Sequence, residues 1–175
     1  DMAYEMKITF TGYTGTETLL DFPALVIFQD GLPGFSHGQF ASVQGGDLRF
    51  MDADRTRELP YEIEMWNRDG ESHVWVKVPE LAGTNTSIWA LWGLDSMTNP
   101  PAYTTNGATW NTNYLGVWHL GAPAAGVFQD ATAYTNHGAD VNTAVGGRGG
   151  RCRESGGNLQ HQSDRLDLAQ TVLHL

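Results

Sequence analysis

The chain has 175 residues, with 10 Lys and Arg against 20 Asp and Glu, so its formal net charge is -10. This acidic balance argues against nucleic acid as a partner, because phosphate binding depends on a basic patch. No run approaches the roughly 20 apolar residues that cross a bilayer, so no membrane insertion is expected.

Short apolar segments separated by turns follow one another through the first half. Met6, Ile8 and Phe10 alternate with polar residues, which is the period of a half-buried strand. The same reasoning places further strands at residues 24–28, 48–50, 61–66, 74–78 and 88–92. The pattern predicts an all-β fold, an antiparallel β-sandwich of jelly-roll-like form.

Charge and composition divide the chain in two. Residues 1–98 carry a net charge of -9 and residues 99–175 a net charge of -1. An Asn-, Thr- and Pro-rich stretch containing Pro100-Pro101 predicts a linker over 99–113. A new strand signal at 116–120 opens residues 114–175, which are too few for a large sandwich of their own. We therefore expect an incomplete second β-sandwich segment there.

The first half resembles a known family. Its motifs at residues 7–10, 22–26, 46–54, 58–64 and 74–79 and its final Trp92-Gly93 are similar, in order, to those of the DUF2341 family, over about residues 4–95. The resemblance implies a large secreted or surface protein of bacteria or archaea. One departure is Arg55, which stands where the family's Asp-x-Asp-Gly turn has glycine.

The second half resembles another module. Residues 116–120 and 130–138 look like the opening of a laminin-G/concanavalin-A-like jelly roll, which often follows DUF2341. The chain is too short for that module, so we expect a fragment or one completed by something else. Unpaired strand edges of an incomplete module are templates for a neighbour's strands.

A pair of acids is the first candidate site. Glu62 and Glu64 lie two apart on one predicted strand, so their carboxylates share a face at about 5–7 Å, near the spacing of a retaining glycosidase pair. No third acid, base or nucleophile is placed with them, and an exposed polar face is the alternative.

Three tryptophans are the second candidate. Strand alternation places Trp66, Trp75 and Trp89 opposite the core-facing aliphatic residues. A row of indoles beside Glu62 and Glu64 would stack on sugar rings while the acids accept hydroxyl hydrogen bonds. The alternative is a face covered by the second sheet or by the following module.

Metal and cofactor signals are weak. Asp47, Asp52 and Asp54 offer oxygen ligands for calcium, although a turn-forming role explains Asp52 and Asp54 as well. The six histidines and the single Cys152 lack the spacing of a transition-metal site. No cofactor is expected apart from that calcium.

These features predict a non-catalytic extracellular or cell-surface module for structure or adhesion, which assembles into a filament or surface layer by strand-edge pairing. A carbohydrate-binding module is the alternative, and an enzyme acting on glycans is a further one. The expected partners are other copies, surface proteins or polysaccharide. The start at Asp1 has no signal peptide, so secretion implies a mature, cleaved form.

Overall fold

The computed structural model describes residues 2–121 and 125–139. The strands are β1 (Tyr4–Thr9), β2 (Leu19–Phe28), β3 (Arg49–Met51), β4 (Tyr61–Met65), β5 (Ser72–Leu81), β6 (Ser87–Trp92), β7 (Val127–Phe128) and β8 (Gly138–Ala139). Three short 3-10 helices occupy His37–Gln39, Gly83–Asn85 and Ala102–Thr104. These two stretches contain no α-helix, and no helix in them is long and apolar enough to span a membrane. The all-β prediction is confirmed. Of the predicted second segment, residues 122–124 and 140–175, which include Cys152, lie outside the described residues.

Six strands form two antiparallel sheets of three. The first sheet has the order β1-β6-β3 and the second sheet β2-β5-β4, while β7 and β8 pair separately. Buried side chains of both sheets meet in one apolar cluster, to which the first sheet contributes Ile8, Phe50 and Ile88 and the second contributes Val26 and Val76. The two sheets therefore pack face to face as a β-sandwich.

Alternation along β5 separates the two faces of the second sheet. Val74, Val76 and Val78 point into the core and are at most 1% exposed. Trp75 lies between them and belongs to a second apolar cluster on the opposite face. Full burial of each valine contributes roughly 1.5–3 kcal/mol, so the inward face holds the sandwich and the outward face is left to position other groups.

A β-bulge changes the alternation at the end of β4. Ile63 pairs with Val74 and Met65 pairs with His73, so the extra residue, Glu64, has no partner of its own. Such an insertion shifts every later side chain to the other face. The sequence-based placement of Trp66 opposite the core is therefore wrong, because Trp66 packs against the core cluster.

Residues 99–121, called the strap below, follow the sandwich. The guanidinium of Arg49 donates to the Asn99 carbonyl at 3.2 Å, which ties the start of the strap to β3. The Tyr103 hydroxyl donates to the Glu58 carboxylate just before β4, and burial together with that bond raises the pKa of Tyr103. The strap thus begins at the β4 edge of the second sheet.

The strap continues to the opposite edge. The side-chain amide of Asn111 donates to the carbonyl of Asp21 in β2 at 3.1 Å. Between the two edges the strap covers the outward face of the second sheet. Residues 99–113 hold no strand, as Pro100-Pro101 predict, but they pack on the sandwich instead of forming a free linker. The strand predicted over 116–120 is wrong, because those residues form no ladder with another strand.

Candidate functional site

The two predicted acids lie on the outward face of the second sheet. Glu62 pairs across the ladder with Trp75. Nε1 of Trp75 donates to Oε2 of Glu64 at 2.6 Å. Glu64 lies on the same face as Glu62, since the side chains of both acids reach one histidine of the strap. The structure therefore brings together Glu62, Glu64 and Trp75, as the sequence predicts.

The strap supplies the other half of the site. Nε1 of Trp110 donates to Oε2 of Glu62 at 2.7 Å. The ring of His119 lies between the acids, with Nε2 at 2.9 Å from Oε1 of Glu62 and Nδ1 at 3.3 Å from Oε2 of Glu64. We call Glu62, Glu64, Trp75, Trp110 and His119 the acid–tryptophan cluster.

Ring packing completes the acid–tryptophan cluster. The Trp75 and Trp110 rings lie 5.4 Å apart, and the His119 ring stacks on Trp75 at 6.3 Å with an angle of 25° between planes. Leu25 on β2 is buried beside both indoles. Trp75 and Trp110 are each 7% exposed, so the cluster is an internal contact between sheet and strap.

Charge follows from this geometry. Burial disfavours the charged form of His119, but hydrogen bonds and attraction from Glu62 and Glu64 outweigh it and raise the pKa of His119 to about 9. Burial likewise opposes ionisation of Glu64, yet hydrogen bonds from His119 and Trp75 keep its pKa below the ordinary value. At neutral pH the site is an imidazolium between two carboxylates.

The hydrogen bonds decide what the acids are able to do. A glycosidase pair needs open space between its carboxyl groups for the sugar. Here the His119 ring lies between the acids, the Trp110 indole N–H bonds the other oxygen of Glu62, and the Trp75 indole N–H bonds the same Oε2 of Glu64 that faces His119. The arrangement is suited to holding the strap on the sheet.

Trp66 and Trp89 do not join Trp75 in a row. Trp66 lies on the core side, with its ring 5.2 Å from His37 and 4.9 Å from Phe40. Trp89 lies on the outward face of the first sheet, where the Arg55 guanidinium covers its ring at 3.7 Å. The prediction that the three indoles form one row is wrong, because each lies in a different environment. Ligand binding at these residues stays a prediction.

Of the three aspartates proposed for calcium, Asp47 and Asp52 accept hydrogen bonds from backbone N–H groups, and Asp54 is exposed. The fully buried carboxylate of Asp47 accepts from the N–H groups of Ala41, Ser42 and Gly93. No group of three or more His, Cys, Asp or Glu that could hold a metal occurs within residues 2–121 and 125–139. Asp47 therefore acts as an internal cap for two loops.

Asp52 organises its own turn. Its Oδ1 accepts from the N–H groups of Thr56 and Arg57, and these bonds outweigh the opposing effect of burial and lower the pKa of Asp52. Asp54 lies exposed at the tip of the same turn. The turn-forming alternative fits Asp52, and Asp54 shares the same turn.

A second polar constellation had no sequence signal. Nδ1 of His37 lies 2.8 Å from Oδ1 of Asp30, and Nε2 lies 2.9 Å from Oγ of Ser72. These are the contacts of a Ser-His-Asp triad. However, Ser72 is fully buried and its hydroxyl also accepts from the Asn67 N–H at 2.8 Å. The group therefore pins the loop before His37 to the start of β5.

Sequence reasoning missed Trp110 and His119. Both lie in or after a stretch read as a linker, 48 and 57 residues from Glu62. The available signal was the aromatic residues Tyr103 and Trp110 in that stretch and Tyr114 directly after it. Such residues are usually buried, which argues against a solvated linker.

The comparisons with known proteins give one match. A family model described as a domain of unknown function, DUF2341, matches residues 44–111. This supports the resemblance over that range, which begins after β2 and ends one residue beyond Trp110. The comparisons with curated proteins and with solved structures found no match. No match supports the resemblance to a laminin-G/concanavalin-A-like jelly roll.

Proposed function

We propose that the chain is a non-catalytic structural module of an extracellular or cell-surface protein, whose sandwich fixes the direction in which the following segment leaves it. The observation that carries this proposal is the acid–tryptophan cluster. Its two carboxylates bind side chains of the strap, so the acidic outward face of the second sheet contacts the segment that follows the sandwich in the chain.

Residues beyond the strap continue the same contact. The Ala131 N–H donates to the Val117 carbonyl at 2.8 Å, and the Asp130 carboxylate accepts from the Val117 N–H at 2.8 Å. Bonds from the backbone N–H groups of Val117 and Thr132 outweigh burial and lower the pKa of Asp130. In this proposal residues 114–139 are the opening of the laminin-G/concanavalin-A-like module. The contact of the strap with the sheet then fixes the orientation of that module relative to the sandwich.

Hydrogen exchange of the whole chain tests this role. We expect amides around Trp110 and His119 to exchange as slowly as those of β6, and a Trp110→Ala variant to lose protection in the strap while β5 and β6 keep theirs. Trp89→Ala is the matched control, because its indole contacts only the outer face of the first sheet. A strap that exchanges at the rate of an unstructured peptide in the unmutated chain would refute the proposal.

Carbohydrate binding is the competing function. Trp75 is buried and its indole N–H is bonded to Glu64, so a sugar reaches this ring only after the strap has left. A glycan array probed with the unmutated chain and with Trp75→Ala separates the two functions. Binding that is lost in the variant would favour carbohydrate recognition over a structural role.

An enzyme acting on glycans is tested at the same acids. The unmutated chain and the Glu62→Gln, Glu64→Gln double variant are assayed against polysaccharides for released reducing ends. Under the structural role neither releases any. Hydrolysis that disappears in the double variant would make the module catalytic.

A further inference from the structure

Strand β1 forms a free edge of the first sheet. The order β1-β6-β3 places β6 on one side of β1, and no strand of the described chain pairs with its other side. A free edge presents a row of unpaired N–H and C=O groups to any strand that approaches it. Which residues present these groups follows from the ladder itself.

The register of β1 with β6 fixes the outward groups. Ile8 lies opposite Ile88 and Met6 opposite Ala90. The N–H of Phe10 donates to the carbonyl of Thr86, the next pair in that register, at 2.8 Å. Hydrogen-bonded pairs alternate with non-bonded pairs in an antiparallel ladder, so even-numbered residues of β1 bond to β6. The odd-numbered residues direct their N–H and C=O groups to the free edge.

The odd-numbered residues carry opposite charges. Glu5 and Lys7 are both exposed on the outward face of the first sheet. The two oxygens of Glu5 accept from the Arg55 guanidinium at 2.8 and 2.9 Å, and that guanidinium lies over Trp89 of β6. The strand therefore carries one negative group, which Arg55 already pairs on the β6 side, and one positive group two residues further on.

We propose that a second copy of this chain pairs with β1 as an antiparallel strand, with Glu5 opposite Lys7 of the other copy on both sides of a two-fold axis through Met6. This pairing specifies the partner in the assembly expected for the proposed structural module. It uses hydrogen-bonded pairs between odd-numbered residues, as the outward groups require. It also places two opposite-charge pairs directly across from each other, an arrangement that stabilises a sheet.

Charge selects this register over its neighbours. A shift of two residues in one direction places Glu5 opposite Glu5, and a shift in the other places Lys7 opposite Lys7. Like charges directly opposite each other destabilise a strand pair. The alternation of Glu5 and Lys7 thus favours one self-complementary alignment and disfavours both adjacent ones.

The other long edge is less suited to pairing. Strand β2 contains Pro23, which has no N–H to donate. The carbonyl of Asp21 in the same strand already accepts from Asn111 of the strap. On the other side of the first sheet, the bridge between Met51 and Glu58 occupies the outer edge of β3. Of the edges at β1, β2 and β3, β1 is therefore the most open.

The expected product is a closed dimer. A two-fold contact uses the same surface on both copies and ends growth after two. The paired first sheets form one antiparallel sheet in the order β3-β6-β1-β1-β6-β3. A filament therefore needs a second contact elsewhere on the chain.

Complementary charge variants test the pairing. The Lys7→Glu variant places two acids on each edge, and the Glu5→Lys variant places two lysines. We expect the dissociation constant of each homodimer, measured by sedimentation equilibrium, to rise about tenfold or more. An equimolar mixture of the two variants aligns acids with lysines and should restore the dimer. Lys77→Glu on β5 is the matched control, because it makes the same charge change away from β1.

Three results would overturn the pairing. They are an unmutated chain that stays monomeric at the highest concentration measured, a dimer that neither single variant weakens, and a mixture that forms no heterodimer. Each of these leaves the structural role intact if the strap retains its slow hydrogen exchange. Loss of strap protection with an unchanged dimer would instead refute the structural role alone.

Discussion

The two faces of the second sheet are held by different forces. The inward face is entirely apolar at Val74, Val76 and Val78, and it packs against the first sheet. The outward face binds the strap through an imidazolium, two carboxylates and two indole N–H groups. Apolar packing does not depend on protonation, whereas charge-assisted hydrogen bonds do. The same three strands therefore carry one contact without titrating groups and one contact built from them.

The largest effect is expected on the inward side. Phe50 is fully buried, with its ring 6.2 Å from Phe28 and 5.3 Å from Tyr61. Phe50→Ala removes these contacts and leaves a cavity, which typically costs 3–5 kcal/mol. Denaturant unfolding followed by circular dichroism measures the loss. Val43→Ala, at a residue that is 61% exposed, should change stability very little, and a similar loss there would contradict the assignment of the core.

Removing the histidine is the sharpest way to separate the two faces. His119→Ala deletes the hydrogen bonds to Glu62 and Glu64, and bonds to charged groups contribute roughly 1.5–3 kcal/mol. We expect faster hydrogen exchange in the strap with unchanged protection of β5. His73→Ala is the comparison variant, because Nε2 of His73 lies 3.4 Å from Oε2 of Glu71 and His73 makes no hydrogen bond to the strap. Equal loss of protection in both faces would mean that they form one cooperative unit.

The pH dependence should differ between the faces. The pKa of His119 is raised from 6.5 to about 9 in the folded chain, so its contribution is complete below pH 6.5 and is lost as pH rises through about 9. The lowered pKa of Glu64 adds a contribution that is present above pH 4.5 and is lost as pH falls. Strap protection, after correction for intrinsic exchange, should fall between pH 6.5 and 9 while β5 stays protected. A His119→Gln chain should lack this step, and a step of the same size in it would exclude His119 as the cause.

The smallest effect is expected at Arg55. Its φ of 58° is strained for a residue with a side chain, which favours glycine. Against this, its guanidinium binds Glu5 through two hydrogen bonds and covers Trp89. Arg55→Gly relieves the strain and removes these contacts, so the net change in unfolding free energy should lie within about 1 kcal/mol. Thermal unfolding of the variant beside Arg55→Ala, which keeps the strain, separates the two contributions.

Sequence periodicity was sufficient for the strands of the sandwich. Alternation at residues 74–78 and 88–92 predicts β5 and β6, because each has one face in the core. It failed at Trp66, since the bulge at Glu64 inserts one residue and alternation alone does not reveal an insertion. It also identified Glu62, Glu64 and Trp75 as neighbours, which requires only the pairing of two adjacent strands.

The other half of the site follows from contacts distant in sequence. Trp110 and His119 lie in a part of the strap that forms no strand or helix, so no period links them to β4. Pro100-Pro101 correctly exclude a strand, but the absence of a strand does not make a segment free of the sheet. The match of the DUF2341 model to residues 44–111 includes Trp110, which supports counting the first part of the strap with the sandwich.

Chain order has a consequence for synthesis. The sandwich needs β6, whose last residue is Trp92, and His119 is translated only later. At roughly 5–20 residues per second, His119 is synthesised a few seconds after the last residue of β6. During that interval Glu62 and Glu64 are two neighbouring carboxylates without their counter-charge, and the nascent module is more acidic on this face than the finished one. A factor that meets the chain at the ribosome encounters that transient surface.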